Sequence, residues 1–180
     1  MSNIDEFLSA LSKGGISKSS NFSCIVTSPT GSADEMRDLT MRIEAADIAG
    51  RNTTILEDTT GGFPTKVVVG STMNELPLSI ILSEDLKEKI FMEKWQDLAT
   101  GSYRSGTISK YMYNPGYYND YVGTVLVYVK NDMGDTTYEI EYENAFPALI
   151  GNISYSWENG QAIAKLPVTF IFKKFIDKTL

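Results

Sequence analysis

Hydrophobic and polar residues alternate along several parts of this chain, and a period of two residues is the pattern of a β-strand with one buried face. The alternation is clearest over residues 39–48. One side of this segment is apolar and the other is mainly polar. The apolar side has Leu39, Met41, Ile43 and Ala45, and the other side has Thr40, Arg42, Glu44 and Ala46. We therefore predict a strand here, preceded by a polar connection at residues 32–38.

Seven further segments are rich in β-branched and aromatic residues and are bounded by turn residues, which predicts strands. They are residues 22–28, 66–69, 76–82, 122–131, 135–143, 150–156 and 164–175. The turn Asp132-Met133-Gly134 joins two of them into a hairpin. Pro147 has no N–H to donate to a β-ladder, so the sheet is expected to break or change partners at Phe146-Pro147.

One long helix is predicted to begin at Glu84-Asp85 and to continue through Leu98, because apolar residues recur at helical spacing from Leu86 onward. Ser83 is suited to cap its N-terminus, in front of the acidic residues Glu84 and Asp85. Gly101 is suited to end it, because a helix commonly closes on a residue with left-handed backbone geometry.

The predicted elements define a fold class. Residues 21–180 are expected to form a single mainly β domain, an antiparallel β-sandwich or barrel with one flanking α-helix. Residues 1–20, with a short amphipathic helix at 5–13, are expected to form an N-terminal arm. Residues 49–64 form a connection longer than compact domains usually contain, so we mark them as a contact candidate.

Composition narrows the functional classes. The chain has 180 residues, of which 42% are hydrophobic and 22% charged, so it has the bulk properties of one soluble globular domain. Its formal net charge of -7 disfavours binding to nucleic acid through phosphate neutralisation. No apolar segment is long enough for a membrane helix, and the N-terminus lacks a signal pattern, so a cytosolic product without a membrane partner is expected.

Side chains suited to catalysis are scarce. The chain has no His, and its only cysteine, Cys24, lies in an apolar run where a buried thiol is expected. Glu139, Glu141 and Glu143 follow one face of a strand; an acid–base pair is conceivable there, but a solvated strand face is favoured. Asp132 and Asp135 are interpreted as turn residues rather than calcium ligands. We expect no catalytic residue, cofactor or metal site.

Tyrosine is concentrated in one region of the chain. Its members are Tyr103, Tyr111, Tyr113, Tyr117, Tyr118, Tyr121 and Tyr128. Such residues could stack sugars or bases, but a subunit interface or ordinary core packing is favoured, because tyrosine offers rigid contact area with a polar tip.

Three features in order resemble one known family. They are the helix with Phe91-Met92-Glu93-Lys94-Trp95, the hairpin, and Phe146-Pro147-x-x-Ile150-Gly151-x-Ile153-x-Tyr155-x-Trp157 before a last amphipathic strand. The chain thereby resembles, from about residue 22 to 175, the tail tube proteins of contractile-tailed, T4-like bacteriophages, which are related to type VI secretion and pyocin tubes.

The resemblance implies a structural virion protein of the phage tail, assembled in the host cytoplasm. It implies stacked hexameric rings whose shared inner β-barrel encloses a lumen that conducts DNA without binding it specifically. The implied partners are further copies of the chain, the tail sheath, the baseplate and the tape-measure protein. Within such a ring we predict that Glu139, Glu141 and Glu143 face the lumen, and that Trp157 anchors the turn before the last strand.

The resemblance further implies that the long connection contacts the neighbouring ring. The predicted contact residues are Arg51, Ile55, Leu56 and Phe63. A baseplate-proximal tube initiator of the same fold is an alternative, as is a carbohydrate-binding β-sandwich module of the tail that uses the tyrosines. A carboxylate-dependent hydrolase is the least favoured class.

Overall fold

The computed structural model of the protein describes residues 3–59, 61–101, 115–157 and 162–179. In these residues the elements follow in the order α1 (Asn3–Gly14), β1 (Phe22–Thr27), α2 (Ala33–Met41), β2 (Ile43–Ala46), β3 (Arg51–Asp58), β4 (Thr65–Met73), β5 (Leu76–Ile81), α3 (Lys87–Thr100), α4 (Tyr118–Tyr121), β6 (Gly123–Lys130), β7 (Thr136–Ile150), β8 (Lys165–Ile171) and β9 (Lys174–Thr179). The mainly β class is confirmed.

The long strand β7 belongs to two antiparallel sheets. Its first part pairs with β6 and β9, giving a sheet in the order β1-β6-β7-β9. Its last part pairs with β8, giving a second sheet in the order β7-β8-β5-β2. A separate two-stranded sheet is formed by β3 and β4. The predicted sandwich therefore has a shared strand between its layers.

The partner change predicted at Phe146-Pro147 is confirmed. Pairing of β7 with β6 ends at Ala145, opposite Gly123, and pairing with β8 begins at Phe146, opposite Ile171. Asn144, directly before the change, has a φ of 54°, so the backbone adopts the left-handed geometry that reorients a strand. Pro147 lies buried where the second ladder starts, beside a register shift.

The core lies between the two sheets and is closed by α3. From the first sheet come Cys24, Val26, Val125, Val127, Ile140 and Tyr142; from the second come Leu76, Leu78, Ile80, Leu166, Val168 and Phe170. Trp95 of α3 is fully buried, and its ring contacts that of Phe170 edge-on at 5.6 Å between centroids. Gly101 ends α3 with a φ of 81°, as predicted.

The prediction for residues 32–48 is wrong in its first half. Residues 33–41 form helix α2, and only Ile43–Ala46 form a strand. The residues predicted to share one apolar strand face do not share an environment. Leu39 is the buried residue of α2, whereas Met41 is exposed. Helix α3 also begins later than predicted, at Lys87, although the Ser83 hydroxyl accepts a hydrogen bond from the Lys87 N–H at 3.3 Å.

Four further predictions need correction. The connection at residues 49–64 is mostly strand β3 and the turn of a hairpin, not a loop. Residues 151–157 form no strand, and the predicted last strand is divided into β8 and β9. Trp157 does not anchor the turn by packing against the described residues, because its side chain is fully exposed.

Candidate assembly surfaces

The hairpin of β3 and β4 is the most exposed part of the described structure. Every described residue from 51 to 73 is exposed, and Phe63, near its tip, is 87% exposed. Ile55 pairs with Val68 on one face of the hairpin, while the adjacent pair is formed by Leu56 and Val67. Successive strand residues point to opposite faces, so both faces carry apolar side chains. A two-stranded hairpin is marginally stable alone, and this one offers two apolar faces for contact with other protein.

The four predicted contact residues do not all lie on the exposed part of the hairpin, because one of them lies at its base. Ile55 and Leu56 lie in the middle of β3, and Phe63 lies at the turn, all exposed. Arg51 lies instead at the base of the hairpin, where its guanidinium carbon is 5.3 Å from the centroid of the Phe175 ring in the same subunit. Sequence reasoning did not identify Val67 and Val68, although the run from 67 to 69 is apolar.

The second candidate surface is the face of the β1-β6-β7-β9 sheet that points away from the core. Three rows of paired residues cross it from β1 to β9. They are Thr27-Thr124-Glu143-Lys174, Ile25-Leu126-Glu141-Ile176 and Ser23-Tyr128-Glu139-Lys178. The predicted glutamates therefore share one face, as expected from their spacing, and the middle row is otherwise apolar.

The glutamates on this face are paired with lysines of β9 rather than simply solvated. Lys174 Nζ lies 2.8 Å from Glu143 Oε2, and Lys178 Nζ lies 3.2 Å from Glu139 Oε1. Hydrogen bonds to Glu141 and Glu139 raise the pKa of Lys178, because they stabilise its charged form. The face is thus a mixture of both charges. The signal for it is the spacing of Lys174, Ile176 and Lys178 at every second position. The predicted last strand ended at residue 175 and therefore included only Lys174.

Each end of the same sheet carries a strand edge. Among the described residues, β1 pairs with β6 alone and β9 pairs with β7 alone. Unpaired N–H and C=O groups along such edges are templates for pairing with another chain. The sheet therefore has two strand edges that another subunit can extend.

The predicted tyrosine cluster is described only in part, since Tyr103, Tyr111 and Tyr113 lie outside the described residues. Tyr118 contacts Tyr121 edge-on at 5.6 Å, and Tyr121 contacts Phe146 at 5.3 Å. The carbonyl of Tyr121 accepts a hydrogen bond from Trp95 Nε1 at 2.6 Å. This region packs beside the point where β7 changes sheets. Tyr117 is exposed, and Tyr128 lies on the outward sheet face.

A cleft of about 730 Å³ lies between α2 and the start of α3. Its deepest carboxylate, Glu88, is only 6% exposed and accepts hydrogen bonds from the Ser83 N–H and hydroxyl, each at 2.9 Å. Arg42 Nε lies 3.1 Å from Glu88 Oε1. Burial opposes ionisation of Glu88, but these contacts outweigh it and lower its pKa. The Glu88 carboxylate is thus satisfied by Ser83 and Arg42, which indicates a structural role for this group rather than a catalytic one.

Two predictions concern groups inside or at the edge of the fold. Cys24 is buried, as predicted, and burial raises its pKa to about 12. The Asp132 carboxylate accepts hydrogen bonds from Lys18 Nζ at 2.8 Å and Asn21 Nδ2 at 2.9 Å, so it ties the segment before β1 to the β6–β7 turn.

No helix in the described part of the chain has the length and apolarity needed to cross a membrane.

In the described residues, two sheets share one strand, a hairpin extends from them, and β1 and β9 each have one edge without a strand partner. The phage tail tube protein family matches residues 17–178, so the chain belongs to that family. Its role is structural, as a component of a phage tail tube. No curated protein matches this chain in sequence.

Solved structures have the same fold at low identity. A chain of the PVC sheath–tube complex of an extracellular contractile injection system is 14% identical with a TM-score of 0.61, over 96% of this chain and 97% of that chain. A chain of the anti-feeding prophage baseplate is 9% identical with a TM-score of 0.61, over 92% and 97%. The Hcp1 protein from E. coli EAEC 042 is 7% identical with a TM-score of 0.51, over 88% and 91%.

Proposed function

We propose that six copies of this protein close into a ring and that the rings stack into the inner tube of a contractile phage tail, a conduit for DNA. The observation that carries the proposal is the β3–β4 hairpin, whose two apolar faces are exposed in the subunit. Burying apolar surface is the main favourable contribution to association. A copy in the adjacent ring is the proposed cover, with Ile55, Leu56 and Phe63 in contact.

Ring closure is assigned to the free edges of the β1-β6-β7-β9 sheet. Pairing β1 of one copy with β9 of the next satisfies both edges and produces one continuous barrel. A head-to-tail contact of this kind closes by rotation, and stacking then lengthens the assembly. The anti-feeding prophage baseplate, whose chain has this fold, is described as 6-fold symmetrised, which supports six copies.

In this arrangement the outward face of that sheet, with Glu139, Glu141 and Glu143, lines the lumen. Its acidic groups repel phosphate, and the lysines beside them limit that repulsion, so DNA passes without adhering. The remaining partners in this proposal are the sheath, the baseplate and the tape-measure protein, with assembly in the host cytoplasm. The protein performs no catalysis. Residues 1–20 act as an arm outside the domain formed by residues 21–180.

The test is negative-stain electron microscopy of the purified protein over rising concentration, with sedimentation analysis of the same samples. Long tubes support the main tube subunit, and single rings that do not elongate support a baseplate-proximal initiator. Protein that stays monomeric at high concentration, together with a position outside the tube in the parent virion, contradicts the proposal. A glycan array tests the carbohydrate-binding alternative, for which saturable binding is required.

A further inference from the structure

We propose that Tyr142, Phe175 and Arg51 act together as positioning residues that hold the β3–β4 hairpin at the angle needed for ring stacking. We call these three residues the hairpin support. The inference rests on the proposed function, because it concerns how the stacking element is oriented. It adds a role for a buried tyrosine and for Arg51 that is distinct from direct contact with the next ring.

The hairpin joins the body of the subunit through a short irregular pivot. Strands β2 and β5 pair up to Ala46, opposite Leu78, and the β3–β4 ladder starts at Arg51, opposite Met73. Residues 47–50 and 74–75 lie between these ladders. A backbone hydrogen bond from the Asn74 N–H to the Gly50 carbonyl, at 2.9 Å, joins the two sides of the pivot to each other. It does not fix the direction of the hairpin relative to the sheets.

Tyr142 supplies a contact from the core to this pivot. Its ring is fully buried, and its hydroxyl accepts a hydrogen bond from the Ala49 N–H at 3.1 Å. The ring is held by Phe172 and Phe175, with centroids 4.7 Å and 6.2 Å away. Burial raises the pKa of Tyr142, so its hydroxyl stays protonated at neutral pH. The position of Ala49 is therefore set by a rigid group of the core.

Arg51 supplies the second contact, at the first residue of β3. Its guanidinium lies over the ring of Phe175, which favours a cation over its electron-rich face. Phe175 and Tyr142 are themselves paired residues in the β7–β9 ladder. Both contacts to the hairpin base thus converge on a single pair of strand residues.

The same strands carry the charged rows of the proposed lumen face. Glu141 and Glu143 flank Tyr142 in β7 and point to the opposite side of the sheet. The hairpin is therefore supported by the strand pair that the proposed ring uses for its barrel. Closing the ring would fix β7 and β9, and through the hairpin support it would fix the hairpin that receives the next ring.

The test compares Tyr142→Phe with Tyr138→Phe. The first removes the hydroxyl that binds the Ala49 N–H and keeps the ring; the second removes a hydroxyl from the same strand face, four residues away. Arg51→Gln removes the cation, and Arg51→Lys restores it. Critical concentrations for ring formation and for tube elongation are measured separately, because a general loss of stability would affect both.

We expect Tyr142→Phe and Arg51→Gln each to raise the critical concentration for elongation about tenfold, with ring formation unchanged. Arg51→Lys should recover most of the elongation, and Tyr138→Phe should match the wild type. Equal elongation in all variants overturns the hairpin support while leaving the tube function intact.

A second measurement does not depend on stacking. Amide hydrogen exchange in the unassembled protein should accelerate across residues 47–58 in Tyr142→Phe, and not in Tyr138→Phe. Unchanged exchange there overturns the inference even if no tube forms. If the wild type forms neither rings nor tubes, the proposed function fails as well, and the exchange result alone decides whether the hairpin is held by these residues.

Discussion

Lys178 Nζ lies 2.8 Å from Glu141 Oε2, across the β7–β9 ladder on the sheet face that points away from the core. Lys178 also reaches Glu139 in the same row of side chains. One lysine thus balances two carboxylates on a face where copies of the subunit converge in the proposed ring. The local charge of this face therefore depends on Lys178, together with Lys174, which pairs with Glu143.

Replacing Lys178 with Gln should make ring formation depend on salt. Glu139 and Glu141 then lose their partner, and the carboxylates of neighbouring copies repel one another unless ions screen them. The melting temperature of the subunit should change only slightly, because Lys178 is half-exposed and surface ion pairs contribute little. Sedimentation at low and high salt measures the effect. Lys87→Gln, which removes an exposed ion pair to Asp85 in front of α3, is the control. Identical salt dependence in both variants would contradict the placement of this face.

Replacing Leu56 with Asp should abolish tube elongation while rings still form. Leu56 is more than half exposed on the hairpin, so the subunit has little packing to lose, but the proposed contact with the next ring would bury a charge. Electron microscopy should show rings without tubes. Met133→Asp is the matched control, since Met133 is 90% exposed at the β6–β7 turn, outside the hairpin. Tubes of normal length with Leu56→Asp would show that the hairpin does not mediate stacking.

The sequence was sufficient for the β class because the strongest strands have one polar and one apolar face. Val125 and Val127 are buried, and the glutamates of β7 lie on the opposite face, as their alternation predicts. The partner change at Pro147 was also predictable, because it follows from a missing N–H. These features depend on local chemistry alone.

Helix α2 was missed because two local signals conflict. Ser32 and Glu35 form a capping box, in which the Glu35 N–H donates to Ser32 Oγ at 3.3 Å and the Ser32 N–H donates to Glu35 Oε2 at 2.9 Å. That spacing is readable in the sequence, but the alternation from Leu39 onward suggested a strand. Helix α2 is closed by Arg42, and strand β2 begins at the next residue, so the two patterns follow each other without a connecting loop.

The pairing of β3 with β4 and the hairpin support could not be predicted for a different reason, although the predicted strand at residues 66–69 lies within β4. Strands β3 and β4 have apolar residues on both faces, so no alternation marks them within a single subunit. The hydrogen bond between Ala49 and Tyr142 joins residues that are distant in sequence, and only the folded chain brings them together. A residue that is covered only by another subunit can be apolar although it is exposed in its own subunit. The pattern of a single chain therefore does not identify such a surface.

Glu88 predicts a loss of stability at acid pH. Its pKa is lowered in the folded protein, so its stabilising contribution is present above its unfolded pKa of 4.5 and is lost as the pH falls through the folded pKa. Glu88→Gln should cost about 1–3 kcal/mol at pH 7, because Arg42 and the Ser83 donors lose a charged acceptor. Urea denaturation should show this difference shrinking at acid pH. Glu93→Gln on the exposed side of α3 is the control, and a difference that persists unchanged at low pH would contradict the assignment.

Cys24 should be unreactive in the native protein. Burial raises its pKa to about 12, so almost no thiolate is present at pH 8, and reagents have no access to the sulfur. A colorimetric disulfide reagent should label Cys24 only at the rate of unfolding, and at once in urea. Ser71→Cys adds an exposed thiol on the hairpin and should react immediately as a positive control. Rapid labelling of the native wild type would show that β1 opens locally.

Gly123 lies where two strands and a tryptophan ring leave no room for a side chain, and Gly123→Ala should be strongly destabilising. A Cβ there would lie 2.1 Å from the Thr27 carbonyl oxygen and 2.8 Å from Cζ2 of Trp95. Relief requires β1 to move away from β6 and the Trp95 ring to shift as well, so we expect a loss of about 3 kcal/mol.

Gly70→Ala is the matched control, since its Cβ would meet only Thr54 Cβ at 4.0 Å. It should change stability by less than about 0.5 kcal/mol. Urea denaturation followed by circular dichroism distinguishes the two variants, and equal midpoints would mean that β1 and β6 tolerate separation. Because β1 is the edge strand assigned to ring closure, a folded Gly123→Ala protein should also form rings less readily than Gly70→Ala at the same concentration.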